Sequence, residues 1–278
     1  MKIITWNVNG IRAVERKGEI QNLVAEQKPD VLMLQEIKGH AEQFSAFLTE
    51  NDDYRQHYSS AEKKGYAGSA LWVKDSVFKK LDNARFKTEI PNAPNADEGR
   101  LSHLSFTLEQ HDGKRGEGER QGEQQWDLLS IYFPNGGKSE QAWAEKLEFY
   151  DRVHDYMNVL RAQGSIVLVG GDMNVAHTEI DIARPKENDG KIGFHPLERA
   201  WMDRLVADRW VDVWRECNPG VTDVYSWWHM ISKGRERNVG WRIDYFLMDK
   251  AHLKRIKNVE YLHDQMGSDH CPLSMSLN

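Results

Sequence analysis

Six apolar runs in this 278-residue chain end in side chains able to do chemistry. They close with Asn7, with Gln35-Glu36, with Tyr132-Phe133-Pro134-Asn135 and with Gly170-Gly171-Asp172-Met173-Asn174. Near the carboxyl end follow Trp241-Arg242-Ile243-Asp244 and Gly267-Ser268-Asp269-His270. Strand ends gather at one rim of a sheet, and such rims carry much of protein chemistry. Convergence would assemble several carboxylates, carboxamides, a phenol and an imidazole, a set unlike a zinc or haem site. Carboxylates and carboxamides are hard ligands suited to Mg²⁺, which keeps waters and phosphate oxygens in its shell. Histidine and tyrosine can stabilise charge on a phosphate oxygen, and a further carboxylate can deprotonate water. These are the parts of metal-assisted phosphodiester hydrolysis.

Each part alone has an ordinary structural explanation. A strand-terminal Asp forms turns and caps, Gly-Asp-Met-Asn fits a glycine-rich turn, and Tyr132 fits a rim aromatic. Only their joint occurrence needs the chemical reading.

The elements that must position these groups follow from periodicity. Short runs at Ile3 to Trp6, Val31 to Leu34, Ser69 to Val73, Ile166 to Val169 and Ile243 to Leu247 read as strands. The runs Leu104 to Leu108 and Leu128 to Phe133 read as two more. A helix opens at the N-cap Ser139, with a stripe of Trp143, Leu147, Tyr150, Val153, Met157 and Leu160, and stops at Gly164. Another opens at Pro196 and should bury Leu197, Trp201 and Leu205. Strands alternating with helices imply an α/β or mixed fold in one domain, residues 1–278. The Gly-, Glu- and Gln-rich segment from Glu109 to Gln125 reads as a mobile hairpin insertion.

Composition bounds the rest. The net charge of −6, from 43 acidic and 37 basic residues, argues against a protein that coats nucleic acid by charge alone. Two cysteines without ligand-like spacing exclude a disulfide scaffold and make zinc a poor candidate. The amino-terminal apolar run is too short for a signal peptide or membrane span, so a reducing cytoplasm, no membrane and a monomer are the expectations.

The segments TWNVNGIRA (Thr5 to Ala13), LQEIK (Leu34 to Lys38), EGR (Glu98 to Arg100), IYFPNG (Ile131 to Gly136), GDMNVAHTEIDIARPKEN (Gly171 to Asn188), NVGWRIDYFL (Asn238 to Leu247) and GSDHCP (Gly267 to Pro272) follow one another along the chain. In these the sequence resembles the exonuclease III family of apurinic/apyrimidinic endonucleases, within the endonuclease/exonuclease/phosphatase superfamily. The resemblance implies a DNase I-like, four-layer α/β sandwich: two mostly antiparallel sheets, helices outside, and the site at one rim. It implies Mg²⁺, with Mn²⁺ as a substitute, held chiefly by Glu36, with Asn7, Asn9 and Asp269 near it. Asp172 would orient or deprotonate water, Asn174 would hold the water or the phosphate, His270 oriented by Asp244 would bond the phosphate, and Tyr132 would face it. Asn135 and His177 would lie along double-stranded DNA carrying an abasic site. Trp227, Trp241 and Ile243 would wall a pocket for the extruded, baseless sugar. The implied reaction is cleavage 5′ to that site, leaving a 3′-hydroxyl and a 5′-deoxyribose phosphate, with 3′ trimming or 3′→5′ exonuclease activity beside it.

Asn9 stands where several relatives carry Asp, Trp227 fills a position that is smaller in some, and the 109–125 insertion replaces a shorter connection. Because net charge supplies no affinity, local cations must meet phosphates: Lys138, Lys233, Arg235 and Arg237 are the candidates. Trp228, His229 and Met230 are bulky enough to enter a duplex. The rivals are a superfamily phosphatase or lipid phosphodiesterase, with the same chemistry on another substrate, and a silent DNA-binding module. The tryptophan pair and basic loop count against the first, and Asp172 beside Asn174 counts against the second.

Overall fold

In the computed structural model, residues 1–94, 96–109 and 122–278 are described. Twelve strands among these residues form two six-stranded sheets. The first sheet contains β1 (Lys2–Asn7), β2 (Val31–Gln35), β3 (Tyr54–Ser59), β4 (Ser69–Lys74), β11 (Ile256–Tyr261) and β12 (Leu273–Leu277), in the order β11-β12-β1-β2-β4-β3. The second contains β5 (Asp82–Lys87), β6 (Leu101–Glu109), β7 (Glu123–Tyr132), β8 (Ile166–Asp172), β9 (Trp210–Asp212) and β10 (Asp244–Asp249), in the order β5-β6-β7-β8-β10-β9.

Most neighbours are antiparallel, but each sheet holds one parallel pair, β1 with β2 and β7 with β8. That pairing decides where the chemistry lies. Parallel partners share a direction, so Asn7 and Gln35 finish side by side, as do Tyr132 and Asp172. β10 runs antiparallel to β8, so its first residue, Asp244, pairs with the last of β8, Asp172.

The central strands are apolar on both sides because both of their faces are covered. Val31 and Met33 of β2 point between the sheets, where they meet Leu128, Leu168 and Phe246. Leu32 and Leu34 point outward onto α1 (Ile11–Arg16) and α2 (Glu19–Gln27). The short helices α3 (Ala46–Thr49) and α4 (Asp75–Phe78) flank β3. On the other outer face, Val167 and Val169 of β8 lie under α5 (Glu140–Ala162), and α7 (Pro196–Ala207) packs beside it, after the one-turn α6 (Pro185–Asn188). α8 (Val213–Cys217) closes the edge beside β10. Helix, sheet, sheet, helix is the four-layer sandwich expected from the resemblance.

Two helical stripes differ from the sequence reading. Ser139 does cap α5, its hydroxyl accepting from Ala142 N at 3.1 Å, but Lys146 lies fully buried beside Phe149 and Tyr150. In α7, Trp201 and Leu205 are buried, whereas Leu197 is 54% exposed and Glu198 takes the inward position. Glu198 pairs with Lys146 across the helices, which fixes the rotation of α7 and turns Leu197 to solvent. β6 and β7 pair out to Glu109–Glu123, and the rest of the hairpin reading, residues 110–121, lies outside the described residues.

Candidate active site

The two sheets meet at the rim through Asn7. Its carboxamide nitrogen donates at 2.9 Å to Glu36 of its own sheet and at 2.9 Å to Asp172 of the other. Its oxygen accepts from Asn9 N at 2.9 Å. Asn7 therefore spaces two carboxylates that would otherwise repel, and in this arrangement its nitrogen, not its oxygen, faces them. The glycines before Asp172 are strand residues, not a turn. A Cβ on Gly171 would lie 1.9 Å from Ile131 O, and one on Gly170 would lie 2.6 Å from Met33 Sδ, so only glycine lets β8 approach this closely.

Asn9, Glu36 and Asn174 all adopt left-handed backbone, with φ of 43°, 52° and 52°. This conformation is uncommon outside glycine, especially for glutamate, and such strain clusters at functional sites. It aims three polar side chains inward. Asn174 also donates its N–H to Asp172 Oδ1 at 2.8 Å and its carboxamide to Phe133 O at 2.9 Å. Asn135 is exposed and donates to Asn174 Oδ1 at 3.3 Å.

His270 is buried, with Nδ1 2.8 Å from Asp244 Oδ2 and Nε2 3.9 Å from Asp172 Oδ2. Burial works against its charge, but Asp244, Asp172 and Asp269 outweigh that and raise its pKa, so the ring is held as imidazolium. Burial, aided by Asp244 and Glu36 and opposed by His270, raises the pKa of Asp172. A carboxylate shifted this way is a better proton acceptor than an exposed one. Burial and the charges of Glu36 and Asp172 push the Tyr132 phenol well above its usual pKa, so it remains a proton donor. Asp269 stays ionised against the cost of burial because His270, Asn9 and Trp227 stabilise its charge.

Beside these groups lies a cavity of about 200 Å³, walled by Trp227, Trp241, Ile243, Ile192 and Gly193. The indoles of Trp227 and Trp241 meet edge to face, 6.0 Å between centroids and 88° between planes. Trp227 Nε1 donates to Asp269 Oδ2 at 3.0 Å, tying this wall to the carboxylate cluster. The sequence offered no sign of Ile192 or Gly193. Gly193 has φ +86°, and a Cβ there would lie 2.6 Å from the Trp241 ring.

The outer DNA-contact candidates divide. Trp228 is buried, its indole donating to Asn238 at 3.3 Å, so it cannot enter a duplex; it supports the loop from within. Arg235 lies over the Trp228 ring and donates to the carbonyls of His263 (2.6 Å) and Gln265 (2.7 Å), so it pins one loop to another rather than standing free. His229, Lys233 and Arg237 are exposed, although Arg237 also donates to Ser232 O at 2.6 Å. Met230 is 65% exposed and its neighbour Ile231, which sequence reading passed over, is 91% exposed. Lys138 stands 4.1 Å above the ring of Tyr66, another residue the motifs did not single out. His177 is held by Asp203 at 2.8 Å on the α7 side. Arg100 is buried, 5.0 Å from the Tyr132 ring centre, and donates to Tyr132 O at 3.2 Å.

The model of the Endonuclease/Exonuclease/phosphatase family matches residues 4–270. The chain belongs to that family. Similar members include an exodeoxyribonuclease of Bacillus subtilis (strain 168), 32% identical over 278 residues and covering 100% of both chains. A DNA-(apurinic or apyrimidinic site) endonuclease of Dictyostelium discoideum is 33% identical over 99% of this chain and 70% of its own. Among solved structures, the AP endonuclease LMAP from Leishmania major superposes with a TM-score of 0.84 at 28% identity, covering 100% of this chain and 87% of that one.

The Endonuclease/Exonuclease/phosphatase family is divalent-metal-dependent, and the donor set here suits a divalent cation. Glu36, Asp172 and His270 each bring a ligand atom within 4.8 Å of one another. The cluster also draws a cation from the protein itself: Lys38 Nζ lies 2.7 Å from Glu36 Oε2 and 2.5 Å from Asn9 Oδ1. Hard carboxylate and carboxamide oxygens suit a hard divalent cation, and the His270 ring, held as imidazolium, stands beside them rather than among the ligands. No helix among the described residues is long and apolar enough to cross a membrane.

Proposed function

We propose that this chain is a DNA-repair nuclease that cuts the backbone 5′ to abasic sites, leaving a 3′-hydroxyl and a 5′-deoxyribose phosphate. The observation that carries the reading is the tryptophan-walled cavity opening directly onto Asp172, His270, Tyr132 and Glu36. A cavity of this size, walled by two indoles at right angles, suits a compact sugar without its base. A normal nucleotide, which also brings its base, would meet the wall formed by Trp241 and Gly193. Extrusion costs least where the base is already missing, which adds to selectivity.

In the reaction, Asp172 orients the water and accepts its proton, while Asn174 holds the water or the phosphate. The His270 imidazolium and the Tyr132 phenol donate to phosphate oxygens where charge accumulates. Asp244 keeps the His270 ring in one orientation. Mg²⁺, or Mn²⁺ in its place, would be held by Glu36 with Asn7, Asn9 and Asp269 close by, and when bound supplies charge neutralisation at the phosphate and leaving oxygen. Lys138, Arg237 and the exposed Met230 and Ile231 would meet the duplex around the pocket, with one protein molecule acting alone. Trimming of 3′ ends uses the same groups.

The deciding experiment compares cleavage of a duplex bearing one abasic site with cleavage of the intact duplex, with and without EDTA. Internal cleavage confined to the abasic site, as distinct from trimming at 3′ ends, and abolished by chelator is expected. Equal cleavage of both duplexes, or persistence in EDTA, would overturn the proposal.

A further inference from the structure

A lysine with no solvent exposure is an unusual choice for the inner face of α5, since an apolar residue there would avoid the cost of burying charge. Lys146 is paired with Glu198, itself without exposure. Such a pair is weak evidence for stability, because well-packed apolar replacements often do as well. Its hydrogen bonds indicate what it does. The ammonium donates to Glu198, to Asn135 O at 3.1 Å and to Asn174 O at 2.9 Å. Glu198 uses its other oxygen to accept from Gly193 N at 2.7 Å and His195 N at 3.0 Å.

Three segments of the site therefore meet on one ion pair. The first is the strand-end loop that carries Tyr132 and Asn135, and it closes down on the lysine stem: a Cβ on Gly136 would lie 2.8 Å from Lys146 Cδ. The second is the turn after β8, where Asn174 holds left-handed backbone and bonds Asp172 Oδ1. The third is the Gly193 segment, which sets the position of the Trp241 wall. We infer that Lys146 and Glu198 are positioning residues for catalysis, holding the groups around the phosphate and the pocket wall in one fixed relation. Neither touches the reacting atoms. Loss of the ammonium releases two carbonyls that must otherwise stay in place, and a misplacement of about 1 Å costs roughly 10²-fold in rate.

The inference rests on the nuclease reading, which wild-type cleavage of abasic DNA tests separately. Two variants test the inference itself. Lys146→Met/Glu198→Gln removes both charges together, so no uncompensated ion is left buried, and it removes donation to the two carbonyls. Lys146→Arg keeps the charge but replaces a compact ammonium with a longer planar fork. Single-turnover cleavage should give rates in the order wild type, Lys146→Arg, then the double variant, the last at least tenfold below wild type. The Kd for abasic duplex should stay within about twofold. A role confined to stability would lower the amplitude, by reducing the folded fraction, and leave the rate constant unchanged. Equal rate constants for wild type and Lys146→Arg, and for the double variant wherever it folds, would overturn the inference.

Discussion

Replacing Arg242 by Met should destabilise the protein by an amount that shrinks as pH falls. The guanidinium is fully buried, 2.8 Å from Asp181 and 2.6 Å from Asp212, and both carboxylates are buried as well. Among the described residues, only Arg215, at 2.5 Å from Asp181 and partly exposed, remains as a cation for the two. Breaking a buried pair from one side typically costs about 3–5 kcal/mol, because a charge is left without compensation. At about 2–4 °C per kcal/mol for a chain of this size, the melting temperature should fall by roughly 6–20 °C at pH 7.5.

The pH dependence follows from the same groups. Although burial opposes it, Arg242 and Arg215 hold the Asp181 carboxyl well below the usual range in the native protein. That contribution to stability is present above the unfolded value, about 3.9, and is lost only as pH falls below it. In Arg242→Met, Asp181 keeps Arg215 but Asp212 loses its cation, and a buried carboxylate without one is relieved by taking up a proton, so the variant gains stability relative to wild type as pH falls from 7.5 to 5.5. Differential scanning calorimetry of both proteins at the two pH values is the assay. A gap in melting temperature that stays constant or widens at pH 5.5 would refute the reasoning. Arg242 sits between two pocket residues, Trp241 and Ile243, and its own N–H donates to Asp181 O at 2.8 Å, so abasic selectivity should weaken in the same variant.

Glu36→Gln should weaken Mg²⁺ binding, read by titration calorimetry, together with cleavage; unchanged metal affinity would remove Glu36 from that role. Asp172→Asn keeps shape but loses the proton acceptor, so single-turnover cleavage should fall about 10²–10⁴-fold while abasic DNA is still bound; near-wild-type turnover would sink the assignment. Trp241→Ala should narrow the ratio of abasic to intact cleavage, and a unchanged ratio with lower overall affinity would mean that the cavity does not select the lesion. Neutralising Lys138 and Arg237 should flatten the fall of DNA affinity with salt for damaged and intact duplexes alike, measured by filter binding, since phosphate contacts carry no lesion information. An undiminished salt slope would show that these cations do not meet phosphates.

Much of the candidate cluster was legible in the sequence because its chemical groups lie at, or directly beside, the ends of apolar strands. Asn7, Tyr132 and Asp172 close their strands, Glu36 follows β2 and Asp244 opens β10; shared direction within the parallel pairs β1/β2 and β7/β8, with β10 antiparallel to β8, brings those ends to one rim. Strands such as β3 and β5 were not legible: β5, DNARFK, is a largely exposed edge strand whose pattern is set by a neighbour, not by burial of its own. The same limit hid the supports of the site. Lys146, Glu198 and Gly193 lie outside the motifs, and nothing local marks a lysine that will be buried or a glycine that will press on an indole. Trp228 and Arg235 read as DNA contacts because large and basic residues beside a pocket usually face outward; the contact between two loops turned one inward and occupied the other. Local order thus determined which groups could react. Packing of helix on sheet and loop on loop, which depends on residues distant along the chain, decided which groups hold them in place.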